Sequence, residues 1–567
     1  MKMRIVFFAF IFFSFTSHTK AQLKFVVEDF EGLADGSSDL DFKKNGIFTF
    51  GNIKAAIIGK TDVKNEYLGE RSIRLVKEGK LTYGGWGKGI GANVELNPNQ
   101  DYLNFYVYPT ASNKNDIIKI ELQEDDNGDN VYEKDMDDSW IYVQKLSSGS
   151  PSEENKNAAI NGTFGWELIS IPLNKFKDSN RGGDGIFNIN YKQGKLLCFI
   201  VSFLNPEQEV SKPSKDKQTW NFDFICFSKG KLPIGQGLSD MPPDSSNDLC
   251  NIGTWSIEGN KANFSDIALN FEGIFKPYSK KKLGVIHFFQ SFAVDGGNKQ
   301  NQYPSVERIN KVIHEGYIPM ITLEDHFVNA KPSTKQPNLY SIVEGHFDPF
   351  FKDWADEIKQ VDGIVLLRIL HEFNGDWYPW CIVNNDKNPL LLIKAFQHIY
   401  NIFKEQQVKN VKFIWCPNST SFPQEKWNFI MNAYPGDAYV DYVGLDIYNG
   451  AGKGVPVWRS FRKEGIENYF IITQQLAAKP LFICETASRE RQKNETISAQ
   501  NKADWIKQMS GALKTDMSKI RLLTWFNEKE SFKINSSSES QNAFLKYILK
   551  DDYFKSGTKY IYPILRN

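Results

Sequence analysis

The sequence predicts a multidomain chain, in which an all-β sandwich at residues 22–227 precedes an α/β domain at residues 248–567. Up to residue 227, short apolar runs rich in β-branched and aromatic residues alternate with turn-forming segments, as is typical of a sandwich. After residue 247, strand-like runs alternate with helical periodicity. The stretch 228–247 between them is rich in Pro, Gly, Ser and Asp, and we interpret it as a linker.

The apolar runs define the predicted strands. Examples in the first part are residues 23–30, 103–108, 117–122, 166–172, 196–203 and 220–227. Those of the second part cover residues 252–256, 283–290, 318–324, 364–370, 411–416, 440–446, 480–485 and 520–526. Eight strand–helix units fit a (β/α)8 TIM barrel, which takes about 250 residues plus insertions. A doubly wound sheet is the alternative, but its glycine-rich first turn is absent from the sequence.

Helical periodicity between these strands is clearest at residues 349–359. There Phe351, Trp354, Ala355 and Ile358 recur at the i, i+3, i+4, i+7 spacing of one helix face. We therefore expect an amphipathic helix whose apolar face packs on the barrel strands.

Composition excludes several classes of protein. The chain carries 68 basic and 68 acidic side chains, whereas nucleic-acid-binding proteins usually have a basic surplus, so we expect no nucleic-acid partner. The six cysteines contain no CxxC pair, which argues against a zinc module. Apolar stretches fall short of the roughly 18 residues of a membrane span. We expect a monomer without a membrane-spanning segment.

The first 21 residues have the pattern of a secretory signal peptide. Lys2 and Arg4 precede an apolar run at residues 5–15, and Ala21 offers a small residue for cleavage. The run is too short to span a bilayer. We therefore expect export, with a mature protein that is secreted or periplasmic.

The carboxyl ends of the predicted barrel strands carry the candidate functional residues, because TIM barrels place their catalytic groups there. These ends contribute Glu324, Arg368 to Glu372, Asp446 to Tyr448, Glu485, and Trp525 to Asn527. Carboxylates, flat aromatic rings and amides with few cations suit the binding and cleavage of sugars.

The segment 368–380 is the most informative part of the chain, because ionisable and aromatic residues follow a buried strand directly. The alternative is a helix start, with Asn374 and Gly375 forming a turn and the tryptophans lying in the core. That alternative does not explain two adjacent ionisable groups, His371 and Glu372, at a strand end. Gly375 occupies the position four residues after His371, so the segment is not an HExxH metalloprotease helix.

The motif Arg-x-x-His-Glu-x-Asn-Gly-x-Trp-Tyr-x-Trp in this segment resembles glycoside hydrolase family 26, a family of retaining (β/α)8 glycosidases that includes β-mannanases and mixed-linkage β-glucanases. The resemblance runs from about residue 250 to 549. It includes GHFDPFFKDWADEIK (345–359), NVKFIWCPN (410–418), YVDYVGLDIYN (439–449), KPLFICETAS (479–488) and LLTWFNEKE (522–530).

By this resemblance Glu372 is the general acid/base and Glu485 the nucleophile. A retaining mechanism places two such carboxyl groups about 5–5.5 Å apart and keeps one of them protonated. His371 would bond Glu485 or the sugar 2-hydroxyl, and Tyr448 would donate its hydroxyl to Glu485. The remaining implied site residues are Arg368 in a supporting role, Trp377 and Trp525 as stacking platforms, and Asn374, Asp446 and Glu324 as substrate contacts. Arg368 and Asp446 are equally compatible with a structural role inside the barrel.

The resemblance implies a secreted retaining endo-β-glycanase that acts on a polysaccharide or oligosaccharide, with β-1,4-mannan as the first candidate substrate. A β-1,3-1,4-glucanase on the same site and a non-catalytic glycan-binding protein are the alternatives. Two departures concern the sugar subsites. Many family members have Trp where this chain has Leu323, and a later Trp is replaced at Ser531-Phe532.

The first domain resembles the galactose-binding-like jelly rolls of carbohydrate-binding modules, through VEDFE (27–31), GWELISIPLNKF (165–176) and WNFDFICF (220–227). The resemblance implies a structural calcium near Glu28, Asp29 or Asp223, and we expect no other cofactor. The acidic loop 124–138 also offers oxygen ligands, but its spacing does not fit an EF-hand, so we interpret it as a solvated loop. Trp86 is a candidate for stacking on a sugar.

Overall fold

The structure is a computed structural model of the 567-residue chain. It describes residues 21–33, 37, 39–51, 53–59, 71–77, 83–109, 117–145, 166–180, 182–204, 219–232, 249–255, 265–292, 303–327, 337–450, 458–490 and 501–566. The predicted signal peptide, apart from Ala21, and residues 233–247 of the predicted linker lie outside these ranges.

The described residues before position 233 form two antiparallel sheets. Their elements are β1 (Gln22–Glu28), α1 (Asp39–Lys44), β2 (Ile47–Gly51), β3 (Ile53–Gly59), β4 (Arg71–Lys77), β5 (Tyr83–Ala92), β6 (Asp101–Pro109), β7 (Ile117–Asp125), β8 (Ser139–Lys145), β9 (Glu167–Pro172), β10 (Lys177–Asp178), β11 (Lys195–Leu204) and β12 (Thr219–Lys229). One sheet has the order β3-β4-β12-β6-β9 with β1 also on β12, and the other has the order β10-β8-β7-β11-β5-β2. The all-β prediction is confirmed, although β12 extends two residues into the predicted linker.

The two sheets pack face to face as a sandwich, and alternate side chains along the strands are buried between them. In β7 every second side chain is buried, as expected for a strand with one face on a core. Trp86 of β5 lies at the centre of that core, 5.7 Å from the ring of Phe199 and 5.9 Å from that of Phe222. Trp86 is fully buried, so the prediction that it stacks on a sugar is wrong.

The second part of the chain is an eight-stranded parallel barrel, as predicted. Its strands are β13 (Cys250–Trp255), β14 (Val285–Phe292), β15 (Ile318–Phe327), β16 (Val365–Ile369), β17 (Val411–Trp415), β18 (Tyr442–Asn449), β19 (Leu481–Ser488) and β20 (Ile520–Phe526). Neighbours pair in sequence order from β14 to β20, β20 pairs with β13, and the β13–β14 pairing closes the barrel. A short strand, β21 (Phe554–Lys555), pairs with β13 from outside.

Helices cover the outside of the barrel. They are α2 (Ser265–Phe275), α3 (Val306–His314), α4 (Leu339–Val343), α5 (Asp348–Ile358), α6 (Pro389–Glu405), α7 (Phe461–Gln475), α8 (Lys502–Lys514), α9 (Lys529–Phe532), α10 (Ser538–Phe544) and α11 (Thr558–Arg566). The four apolar residues predicted to face the core from the helix at 349–359 are buried in α5. Among the described residues, no helix combines the length and the apolar character needed to cross a bilayer.

The sandwich packs on the barrel domain through β1 and α7. Glu28 at the end of β1 lies between Lys88 of the sandwich and Lys463 of α7, with N–O distances of 2.7 and 2.9 Å. The next residue, Asp29, accepts a hydrogen bond from Ser460, which caps α7. Elsewhere in the interface the rings of Tyr191 and Phe429 stack 3.9 Å apart. Both polar and apolar contacts therefore hold the two domains together.

Burial alone would raise the pKa of Glu28, but the charges of Lys463 and Lys88 outweigh it and hold that pKa well below its usual range. A carboxyl whose folded pKa is depressed stabilises the fold above its unfolded pKa of about 4.3, and that stabilisation is lost as the pH falls. Glu28 is therefore ionised at neutral pH and stabilises the interface.

We expect Glu28→Gln to lower the free energy of unfolding at pH 7 by about 3–5 kcal/mol, because it leaves two mostly buried lysines without their carboxylate. The control is Glu121→Gln, whose partner Lys119 is more exposed and whose loss should cost at most about 1 kcal/mol. Chemical denaturation at pH 7 and at pH 3.5 measures both. The Glu28→Gln deficit should shrink at the lower pH; equal deficits for the two variants at pH 7 would contradict this account.

Candidate active site

Arg368 on β16 brings together two carboxylates from neighbouring strands of the barrel. The register of β18 and β19 places Asp446 beside Glu485. One guanidinium nitrogen of Arg368 donates to Asp446 Oδ2 at 2.5 Å, another donates to Glu485 Oε1, and Nε donates to Thr322 Oγ1 at 2.8 Å. Arg368 is fully buried, so its charge is balanced by these carboxylates rather than by water.

The ion pair between Arg368 and Asp446 sets the charges at the base of the cleft. Burial would lower the pKa of Arg368, but the charge of Asp446 raises it above its ordinary value. Burial outweighs the attraction of Arg368 and raises the pKa of Asp446 to about 6. Because that value is still below 7, both partners are charged at neutral pH.

Glu372 follows β16 on a strained turn. The backbone of Leu370 has φ of 49° and that of Glu372 has φ of 51°, a left-handed conformation that is uncommon for residues other than glycine. The amide of Glu372 donates to the carbonyl of Cys416 at 2.8 Å, and its Oε2 accepts from Trp377 Nε1 at 2.7 Å. These contacts fix the carboxyl group at the mouth of the barrel.

Glu372 is the carboxyl group of the site best suited to donate a proton. Burial and, next, the charge of Asp446 raise its pKa to about 8, and the opposing effects of Arg368 and the Trp377 bond are smaller. At neutral pH most molecules therefore carry a proton on Glu372.

Glu485 on β19 accepts hydrogen bonds from two sides. Its Oε1 accepts from Arg368, and its Oε2 accepts from the Tyr448 hydroxyl at 2.5 Å. The Tyr448 ring is held in turn by Phe526 and Phe532, at 5.7 and 5.8 Å between ring centroids. Charge-assisted hydrogen bonds of this kind orient a carboxylate and favour its ionised form.

His371 lies next to Glu372 and is almost fully buried. Its Nε2 lies 3.1 Å from the hydroxyl of Tyr378, whose ring stacks on Trp380 at 4.3 Å. Trp380 donates to the carbonyl of His371 at 2.6 Å. Tyr378 is a partner that sequence analysis did not single out, although it lies within the motif segment.

Further site contacts escaped the sequence analysis. Phe526 at the end of β20 packs against Phe289 at 6.2 Å, and Phe289 packs against Trp255 at 5.1 Å, so these rings form an apolar wall beside Tyr448. Cys416 donates to Asp446 Oδ1 at 3.3 Å. Its position at the end of a predicted strand was the available signal for Cys416.

Three of the predicted substrate contacts are not in a position to touch a sugar, since each is fully buried. Trp525 packs between the helices, 6.3 Å from Trp505 and 5.7 Å from Phe544, and its indole donates to a backbone carbonyl. Asn374 binds the loop after β17, with bonds to both backbone groups of Asn418. Asp446 is enclosed by Arg368 and Cys416. These three predictions are wrong, because the side chains are used to hold the fold and the carboxylates.

Two other predicted contacts remain accessible. Trp377 is 47% exposed and stands at the mouth of the cleft beside Glu372, where a sugar ring can stack on it. Glu324, three residues before the end of β15, is partly exposed, and its Oε2 accepts from Ser291 Oγ at 3.1 Å. The arrangement thus offers a protonated carboxyl, an anchored carboxylate and an exposed aromatic face.

A metal ion is not needed to explain the buried groups of this site. Cys416, Asp446 and Cys484 offer ligand atoms within 4.8 Å of one another. However, the guanidinium of Arg368 contacts both Asp446 and Cys416, at 2.5 and 3.6 Å. That guanidinium already supplies the positive charge which a cation would bring.

The residues for which the resemblance implied calcium are engaged in protein contacts. Glu28 pairs with two lysines, and Asp29 accepts from Ser460. Asp223 is fully buried and accepts from the backbone amide of Phe224 at 2.7 Å. Calcium at these residues stays a prediction, and the two lysines make Glu28 a poor ligand.

Comparisons with known proteins show which family this region of the chain is similar to. The model of glycosyl hydrolase family 26 matches residues 324–515. Endoglucanase H of Acetivibrio thermocellus is 31% identical over 291 residues, which cover 48% of this chain and 28% of that protein. A mannan endo-1,4-beta-mannosidase of Bacillus subtilis is 32% identical over 117 residues, 19% of this chain and 31% of that protein. The chain therefore spans less than a third of the length of these curated relatives.

One solved structure to which this chain is similar is the GH26-CBM35 beta-(1,4)-mannanase of Podospora anserina. It is 13% identical and covers 91% of this chain and 99% of its own, with a TM-score of 0.40. The family match includes the strand ends that carry Glu324, Glu372 and Glu485. Residues 324–515 of this chain are therefore similar to glycosyl hydrolase family 26.

Proposed function

We propose that the chain is a secreted, retaining endo-β-glycanase that hydrolyses β-1,4-mannosidic bonds by double displacement. The observation that carries the proposal is that two glutamates of one cleft have different surroundings. Glu372 has a pKa raised to about 8, whereas Glu485 is held by Arg368 and Tyr448. A retaining glycosidase requires this pair, one acid and one anion.

In the first step the Glu485 carboxylate attacks the anomeric carbon of the sugar, and Glu372 gives its proton to the departing glycosidic oxygen. The product is a glycosyl ester on Glu485. In the second step Glu372, now ionised, takes a proton from water, which attacks the anomeric carbon and releases Glu485. Arg368 and Tyr448 are positioning residues for Glu485, and exposed Trp377 provides a face for a sugar beside the cleaved bond. The reaction needs no cofactor.

The substrate is inferred from the relatives and not from the site geometry. The Bacillus subtilis relative is named for mannan, which favours β-1,4-mannan. The relative with the longest match given above is named an endoglucanase, which favours a β-1,3-1,4-glucan as the second candidate. A non-catalytic glycan-binding protein is the third possibility, although both carboxyl groups are in place.

We expect Glu485→Ala to reduce kcat/KM by about 10³-fold or more, because the nucleophile is lost. Reducing-sugar release from glucomannan, galactomannan, mixed-linkage glucan and xylan measures the activity and ranks the substrates. Release from mannans alone supports the mannanase, and release from mixed-linkage glucan alone supports the second candidate.

The control for this variant is Glu344→Gln, which changes an exposed glutamate outside the cleft and should leave all rates unchanged. A Glu485→Ala protein that still cleaves would show that another group is the nucleophile. A folded wild type that is silent on all four polysaccharides would contradict the proposed activity.

The pH dependence should report on Glu372. Because its pKa is raised to about 8 in the free protein, kcat/KM should fall as the pH rises through about 8, where the proton is lost. Initial rates from pH 5 to pH 10 on a soluble oligosaccharide measure this alkaline limb.

We expect Glu372→Ala to lose about 10²–10⁴-fold in the rate on polysaccharide, because no group protonates the leaving oxygen. An aryl glycoside whose leaving group needs no proton should be cleaved with a much smaller loss and without the alkaline limb. An alkaline limb that persists in this variant would assign it to a different group.

A further inference from the structure

The acidic loop 124–138 of the sandwich contains a buried cluster of oxygen atoms. Glu124 at the end of β7, Asp126 after it and Asp138 before β8 offer ligand atoms that all lie within 4.8 Å of one another. Glu124 and Asp138 are fully buried, in contrast to the solvated loop expected from the sequence. The β7–β8 pairing, which joins Gln123 to Ser139, brings the two ends of the loop together.

Two of these oxygens accept no hydrogen bond from the described residues. Asp126 Oδ1 and Asp138 Oδ1 have no partner there, and their other oxygens accept from the amides of Asp138 and Gly185. Buried carboxylate oxygens are normally paired, so such atoms indicate an unassigned positive partner.

An amide oxygen from a separate loop points to the same cluster. Asn188 is more than nine-tenths buried, and its Oδ1 also lacks a hydrogen-bond partner among the described residues. Its Nδ2 donates to Asp184 Oδ2 at 2.9 Å, and its backbone amide donates to Glu124 Oε1 at 3.1 Å. These two bonds fix Asn188 beside Glu124 and leave its carbonyl oxygen available.

Two glycines keep space next to these oxygens. A Cβ atom at position 183 would lie 2.1 Å from Asp138 Oδ1 and 2.6 Å from Asp126 Oδ2. A Cβ atom at position 194 would lie 2.4 Å from Glu124 Oε1 and 3.1 Å from Asn188 Oδ1. Glycine at these two positions therefore lets the backbone lie directly against the cluster, where a Cβ atom would collide with the oxygens.

The electrostatics of the cluster lack a compensating charge. The ligand atoms of Glu124, Asp126 and Asp138 all lie within 4.8 Å of one another, so the three carboxylates repel each other when they are ionised. Asp137, Asp178 and Asp184 also face the cluster, and within the described residues no Lys or Arg forms an ion pair with the three carboxylates. A bound cation would relieve this repulsion.

We propose that Glu124, Asp126, Asp138 and Asn188 form a calcium site that holds the acidic loop 124–138 against the segment 182–188. Three carboxylates and an amide carbonyl are hard oxygen ligands of the kind that calcium takes from flexible loops. Zinc prefers nitrogen and sulfur ligands, which these four residues do not supply. Magnesium retains several waters and is held less well by such a set. The site lies apart from Glu28, Asp29 and Asp223, to which the family resemblance pointed.

Terbium(III) is a suitable probe, because Trp140 Nε1 donates to Glu124 Oε2 at 2.8 Å and can transfer excitation energy to an ion bound there. The whole mature chain, treated with a chelator and dialysed, is titrated with terbium and then with calcium chloride. We expect one terbium per chain with tryptophan-sensitised emission, displacement by calcium, and a rise in Tm when calcium is added. Magnesium should displace terbium much less readily.

Asp138→Asn should weaken calcium binding about tenfold or more and reduce the Tm shift, because it removes one ligand charge. The matched control is Asp135→Asn, which removes the same charge from an exposed position of the same loop and should bind as the wild type does. Circular dichroism checks the fold of each variant, and Asp126→Asn, with a less buried carboxylate, takes the place of Asp138→Asn if that variant does not fold.

The proposal would be overturned if the Asp138 variant, or the Asp126 variant in its place, bound calcium as tightly as the Asp135 control. The absence of saturable binding by the wild type would also overturn it. Magnesium binding as tight as calcium binding would overturn the choice of ion. None of these measurements uses hydrolysis, so a failure of the proposed enzymatic activity leaves the result unaffected.

Discussion

The buried guanidinium of Arg368 is the constraint on which the active site depends. Its single positive charge is fully buried and is hydrogen-bonded to Thr322, Asp446 and Glu485. This charge can offset those of the two nearest carboxylates, but not that of a third carboxylate on Glu372. Glu372 is therefore left in a buried setting where its neutral form is favoured, while Glu485 stays anchored. The two glutamates therefore differ in their surroundings, because Arg368 donates a hydrogen bond to Glu485 while Trp377 donates one to Glu372.

The barrel was largely predictable, because its determinants are local. Each of the eight strands is a short apolar run, and the helices between them have a helical period, so a chain of alternating runs specifies the fold. The rule that catalytic groups follow parallel strands then gives a set of candidates that includes Glu372 and Glu485, and the family resemblance implies their roles. In the sandwich, β5 escaped prediction because its sequence YGGWGKGIGA is poor in strand-forming residues. There glycine permits close approach, and a Cβ atom at position 85 would lie 2.0 Å from the carbonyl of Val201.

The errors concern side chains whose partners are distant in sequence. Trp525 and Phe526 are neighbours on β20, so they point to opposite faces of the strand. Phe526 faces the cleft, and Trp525 faces the helices. The chemistry of tryptophan suggested the wrong member of the pair. In the same way Asn374 depends on a loop 44 residues away, and the acidic loop depends on Asn188, which lies 64 residues beyond Glu124. Such pairings come from the topology and have no local signal.

The contact between β1 and α7 fixes the orientation of the two domains relative to each other. A carbohydrate-binding domain on a free linker would search a wide volume around its enzyme. Here Glu28 is clamped between Lys88 and Lys463, and Tyr191 is stacked on Phe429, so the sandwich has a fixed orientation relative to the barrel mouth. Any glycan chain gripped by the sandwich would enter the cleft at a constant offset. The distance between the two surfaces would then determine the length of the fragments released.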